Sequence, residues 1–102
     1  MVLTHKSGKS YPISWTPTLR ALYLLSLRLG FKQINEATDY LNKSLAQGGD
    51  PGLLKALTDI AAVAIENAGG EVPDDAVLWE LIESNDNIKA LVDCVMRAQK
   101  KK

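Results

Sequence analysis

Apolar residues alternate with polar ones at the start of the chain and then recur at helical spacing to its end. Val2-Leu3-Thr4 and Tyr11-Pro12-Ile13-Ser14-Trp15 flank a polar stretch around Ser7-Gly8-Lys9. Two runs of β-favouring residues about a glycine-containing turn predict a hairpin over residues 1–15, with Tyr11, Ile13 and Trp15 on one face. Pro12 has no N–H to give to a ladder, so its strand belongs at an edge.

Helical spacing begins after Thr16-Pro17, where the hydroxyl is the expected cap and proline fits the first turn; Gly30 is the expected stop. Leu19, Leu22, Leu25 and Leu29 then share one face, while Tyr23, Leu24 and Leu27 spread over another. A helix apolar nearly all round is expected at the centre of the core, the alternative being a second face kept for a partner. Another helix is predicted over 34–47, with Ile34, Ala37, Leu41 and Leu45 inward and Gly48-Gly49 ending it. Asp50-Pro51 caps a third that runs to Ala68 before Gly69-Gly70, its stripe formed by Leu53, Leu54, Leu57, Ile60, Ala61, Ala64 and Ile65. Val72-Pro73-Asp74-Asp75 opens a fourth, with acids at the positive end of the helix dipole and Val77, Leu78, Leu81 and Ile82 inward. Asn85-Asp86 is the expected cap of the last, whose stripe holds Ile88, Leu91, Val92, Val95 and Met96 and whose end carries Arg97 and the lysines.

The predicted fold is mainly α, a compact bundle of about five helices preceded by a short N-terminal β-hairpin. One domain spans 1–102: hairpin 1–15, helical region 16–98, basic tail 99–102. A chain of 102 residues buries roughly 60–65% of its unfolded surface, enough for one core but not for a deep catalytic cleft as well.

Charge changes the picture. The formal net charge is zero, yet residues 1–35 carry Lys6, Lys9, Arg20, Arg28 and Lys32 without an acid. Residues 36–96 hold all 12 acids against Lys43, Lys55 and Lys89, and the last six residues return a charge of +4. An acidic middle of this size works against nucleic-acid binding, which rests on a basic surface. With one cysteine, no apolar leader and no apolar stretch approaching the ~20 residues a bilayer needs, the expectation is a cytosolic protein without a membrane span.

Little chemistry is written in the residues. His5, the single histidine, falls in the predicted turn and reads as a solvated loop residue without a partner at suitable spacing. Cys94 reads as a buried, inert thiol, since no second histidine or helix start lies near it. No set of metal ligands, calcium loop or phosphate cradle can be assembled, so no catalysis, cofactor or metal is expected. Trp79 turns away from the centre of its helix's apolar stripe and stands among Asp75, Glu80 and Glu83. It either packs on a neighbouring helix or anchors an interface. Trp15, at the hairpin-to-helix corner, belongs to the core.

The stretch Gly8-Lys9-Ser10-Tyr11-Pro12-Ile13, followed by Leu19-Arg20-Ala21-Leu22 and Leu29-Gly30, resembles the start of the tail assembly chaperones of long-tailed (siphovirus-type) bacteriophages. The second half is similar to theirs as well, with a long helix over 53–68, Val72-Pro73-Asp74-Asp75, then Val77-Leu78-Trp79-Glu80-Leu81-Ile82-Glu83 and a closing helix. Trp15-Thr16-Pro17 departs from the glycine or aromatic that often follows the second strand in that family. The resemblance implies a non-enzymatic protein of the host cytoplasm, missing from the mature virion, that binds the tape measure protein and keeps it soluble while the tail tube polymerises. Helix-in-groove recognition is the expected mode, with Tyr23, Leu24, Leu27 and Trp79 as candidate contacts. A frameshift-extended form that recruits tail tube protein is also implied. The closing Gln99-Lys100-Lys101-Lys102 fits an adenine-rich slippery run and equally fits a basic helix end. The helices leave self-association open. The rival readings are a regulatory protein that binds nucleic acid through the basic N-terminal third, and a structural part retained in the particle.

Overall fold

The β-favouring runs at the start pair as an antiparallel hairpin, β1 (Val2–Thr4) with β2 (Ser10–Pro12), in a computed structural model that describes residues 1–46 and 51–100. Leu3 lies opposite Tyr11 in the register. At the turn, His5 N–H donates to Lys9 O at 2.8 Å and Gly8 takes φ 96°, a conformation that costs glycine little. The expected alternation holds: Tyr11, Ile13 and Trp15 are buried on one face with Leu3. Pro12 stands in a two-stranded sheet, where every strand is an edge.

Helices α1 (Thr18–Leu29), α2 (Ile34–Ala46), α3 (Pro51–Asn67), α4 (Asp75–Ile82) and α5 (Asn85–Lys100) follow. The fold is therefore mainly helical with a short N-terminal hairpin, as the pattern predicts. Gly30 ends α1 with φ 76°, and its N–H and that of Phe31 both donate to Ser26 O. The expected end of α2 at Gln47, the Gly48-Gly49 stop, the Asp50 cap, the Leu45 side chain and Lys101 and Lys102 lie outside the described residues.

Capping differs from expectation at two helix starts. Pro17 is extended (φ −68°, ψ 138°) and itself occupies the cap position of α1, while the Thr16 hydroxyl lies 3.3 Å from Ser14 Oγ instead of on the helix. For α5 the cap is Ser84, whose Oγ accepts from Asn87 N–H at 3.4 Å, so Asn85 and Asp86 sit in the first turn.

The centre of the core is α3, not α1. Every residue of 56–65 is buried, and α3 packs against α1, α2, α4 and α5. Its small residues Ala56, Ala61, Ala62 and Ala64 let neighbours close on all sides, which a ring of leucines does not. α1 is instead two-faced: Ala21, Leu25 and Ser26 are buried, whereas Leu19 is 66% exposed. Two more expected core residues turn outward. The inner row of α3 runs through Leu53, Leu57 and Ile60 and rotates Leu54 to the surface; that of α5 follows Leu91, Val95 and Ala98 and does the same to Met96.

Two buried asparagines hold the hairpin to the bundle. Asn87 Oδ1 accepts from Thr4 N–H at 3.0 Å, and its Nδ2 donates to Thr4 O and Leu81 O at 2.9 Å each. The amide thus satisfies the outer edge of β1 at Thr4 as a third strand would. Asn67, the last residue of α3, donates from Nδ2 to Ser14 O and Thr16 O at 3.1 Å each. A charged joint adds to these. Asp59, with a side chain 2% exposed, takes Arg28 Nε and Lys55 Nζ at 2.9 Å and so links α1 to α3.

Candidate functional site

The outward face of α1 carries Leu19, Tyr23 and Leu27, one turn apart and 66%, 52% and 61% exposed. Residues four apart on a helix stack along one side, so these form a continuous apolar row. The row is exposed because the opposite side of α1 already supplies the contacts to α2 and α3 through Ala21 and Leu25. Shallow grooves border it on either hand. One, of ≈ 440 Å³, is lined by Pro17, Leu19, Arg20, Tyr23 and Ile34. The other, of ≈ 360 Å³, runs between Leu24, Leu27 and Arg28 on α1 and Ala62, Val63 and Glu66 on α3.

Of the residues expected to touch a partner, Tyr23 and Leu27 thus lie together on the row, and Leu24 is half-buried beside it. Trp79 stands elsewhere, 41% exposed on α4, a helix that packs on α3 and α5. Its expected packing against a neighbouring helix is therefore partial. Leu19, which periodicity assigned to the inner face, joins the row instead.

The cations around this face divide into paired and unpaired. Arg28 is held by Asp59 at 2.9 Å and reaches Asp75 at 3.7 Å. Arg20 makes no ion pair among the described residues: its Nη1 donates to Asn67 O at 3.0 Å and Asn67 Oδ1 at 2.8 Å, both neutral acceptors. Its positive charge remains unbalanced at the rim of the first groove.

A polar network joins the hairpin turn to α4. His5 Nε2 lies 2.8 Å from Glu80 Oε1, and Lys6 Nζ lies 2.9 Å from Glu80 Oε2. The hydrogen bonds from Lys6 and then His5 hold the Glu80 carboxyl below the ordinary carboxylate range, and the same contact raises Lys6. The expectation of a solvated His5 is corrected: its side chain is 12% exposed, covered by a partner 75 positions away that local spacing does not reveal. His5 Nδ1 also lies 2.8 Å from Ser7 Oγ, which gives Ser7, His5 and Glu80 the connectivity of a nucleophile, base and acid. The same Nδ1 accepts Ser7 N–H at 3.2 Å, so its lone pair is shared with the backbone of the turn. Gly8 N–H also donates to His5 O, so the network braces the turn; His5, Lys6 and Glu80 at the same time line a groove of ≈ 640 Å³ that extends to Ser84, Asp86 and Asn87.

Cys94 is half-buried in a pocket of ≈ 340 Å³ whose lining includes Trp15, Thr16, Arg97 and Ala98. Burial pushes its thiol up, in the direction of low reactivity. Trp15 is 1% exposed, as expected for a core residue, and its Nε1 has no hydrogen-bond partner among the described residues. Among the described residues, no group of three or more His, Cys, Asp or Glu is placed to hold a metal ion, and no helix is long and apolar enough to cross a membrane.

Compared with known proteins, the chain matches no family model, no curated protein and no solved structure.

Proposed function

We propose that this chain is a phage tail assembly chaperone that binds the tape measure protein in the host cytoplasm and keeps its helical segments soluble while the tube forms. The observation that carries the reading is the row Leu19, Tyr23 and Leu27. It is a contiguous apolar face on a helix that is already buried elsewhere through Ala21, Leu25 and Ser26. Leucine and tyrosine in such a row present apolar area to an incoming helix. The resemblance of the hairpin and of the second half supplies the identity of the client. Recruitment of tail tube protein through an extended form belongs to the same proposal.

Less supports nucleic-acid binding by the basic N-terminal third. Lys6 is tied to Glu80 and Arg28 to Asp59, which removes two of the cations such a surface would use.

Co-expression with the tape measure protein of the same genome tests the proposal. The expected result is a soluble client that co-purifies with this chain. An insoluble client, with both proteins well expressed, would overturn it.

A further inference from the structure

We propose that the groove between α1 and the start of α2 selects acidic amphipathic helices, taking the apolar anchors against Leu19 and Tyr23 and a flanking carboxylate on Arg20. The client is here given a chemistry, and in its identity the inference rests on the chaperone reading. Shape comes first. Pro17, Leu19, Tyr23 and Ile34 line a groove of ≈ 440 Å³, and the row continues to Leu27. Eight residues of helix at about 1.5 Å each make a face about 12 Å long, which suits a partner helix of two to three turns.

Charge then decides the partner's sign. Among the described residues Arg20 is the sole charged one lining this groove, and it donates to the two oxygens of Asn67. Those bonds fix the guanidinium in place without cancelling its charge, and they use one of its nitrogens, leaving other N–H donors for a carboxylate. The first turn of α1 contains no acid, and none occurs anywhere in residues 1–35. Glu36, at the start of α2, is not part of the lining of this groove, and its Oε2 accepts Lys32 N–H at 3.1 Å. On the far side of the row, Glu66 lines the other groove beside Arg28, whose charge is already matched by Asp59. A partner bearing lysines would meet an unbalanced cation; a partner bearing acids would neutralise it.

The probe is a fluorescein-labelled amphipathic helical peptide of about 18 residues with leucines on one face and glutamates beside them, set against the same peptide with lysine for glutamate. Anisotropy with the full chain should show the acidic peptide bound at least about tenfold more tightly, with the difference shrinking as salt rises from about 50 to 500 mM. The double variant L19S/Y23S should weaken the acidic peptide by about tenfold or more. R20Q should abolish the preference between the peptides, and a circular dichroism melt shows that each variant is folded. Equal binding of both peptides, or no binding, or binding indifferent to L19S/Y23S in folded protein would overturn the proposal. So would a dimer of the free chain that L19S/Y23S dissociates, which would make a second copy the occupant, or displacement of the peptide by duplex DNA. Acidic-peptide binding without rescue of the tape measure protein would sink the chaperone reading alone. Rescue without peptide selectivity would sink this inference alone.

Discussion

Asn87→Ala should be among the most damaging single changes outside the apolar core. The residue is 6% exposed, and its side chain makes three hydrogen bonds, two of them to Thr4 in the hairpin and one to Leu81 O at the end of α4. A made bond nets about 1 kcal/mol, and a buried polar group left unpaired costs about 1–3 kcal/mol. Thr4 is at the surface, so water replaces part of what it loses; Leu81 O keeps the longer contact from Ser84 N–H at 3.4 Å. The expected loss is about 2–4 kcal/mol, out of roughly 5–15 kcal/mol for a domain. That corresponds to a fall in Tm of roughly 10–25 °C for a chain of this length. Urea unfolding followed by circular dichroism and by tryptophan fluorescence measures it, Trp15 reporting the hairpin side of the core. Asn87→Asp keeps the acceptor for Thr4 N–H but sets a carboxylate against two carbonyls, so at neutral pH it should lose at least as much. If Asn87→Ala stays within about 0.5 kcal/mol of wild type, the amide does not clamp the hairpin and the reasoning fails.

Asp59→Ala leaves Arg28 and Lys55 without their shared partner; both cations reach water, so the loss should be about 1–3 kcal/mol, below that of a fully enclosed pair, as read by the same urea titration. The pH response of the hairpin turn should follow Glu80, whose folded-state pKa is lowered by Lys6 and His5. A lowered carboxylate contributes stability above its unfolded value and loses it as pH falls through the folded one. Protection of the turn amides against hydrogen exchange, taken relative to the intrinsic rate at each pH, should accordingly fall below the ordinary carboxylate range in wild type, and Glu80→Gln should already be less protected at neutral pH; a turn indifferent to both changes would contradict this. Cys94, raised by burial, should react with a disulfide reagent at neutral pH more slowly than a free cysteine and reach the free rate only in denaturant. A native rate equal to the free one would show the thiol to be open.

Much of the fold could be read from the residues because turn chemistry and periodicity agreed. Gly30 and Gly69-Gly70 stand where helices end, and the alternation of Tyr11, Ile13 and Trp15 marks the hairpin's inner face. Periodicity misjudged α1 because seven of its positions are leucine or tyrosine and no polar stripe marks the outside. Ala21 and Ser26 turned out to face inward, small residues that permit close helix approach but carry little weight in an apolar pattern. For the same reason α3, rich in alanine, looked less central than it is.

Only part of the candidate site was legible. Tyr23 and Leu27 stand out as a second apolar face, but periodicity groups Leu19 with Leu25, which lies about 120° around the helix from it and is buried. Arg20 carried no local signal: its place is fixed by Asn67, 47 positions on. The His5–Glu80 contact and the clamp at Asn87 join residues 75 and 83 apart, contacts that no spacing rule along the chain can supply.

If the outward face of α1 holds the client, as proposed, removing its apolar side chains should show in the client's solubility. The most direct test is to co-express the tape measure protein with wild type and with L19S/Y23S/L27S, substitutions at exposed positions that should change stability by no more than about 0.5 kcal/mol each. Wild type should give a soluble, co-purifying client, and the folded triple variant an insoluble one. A client rescued equally by both would contradict it.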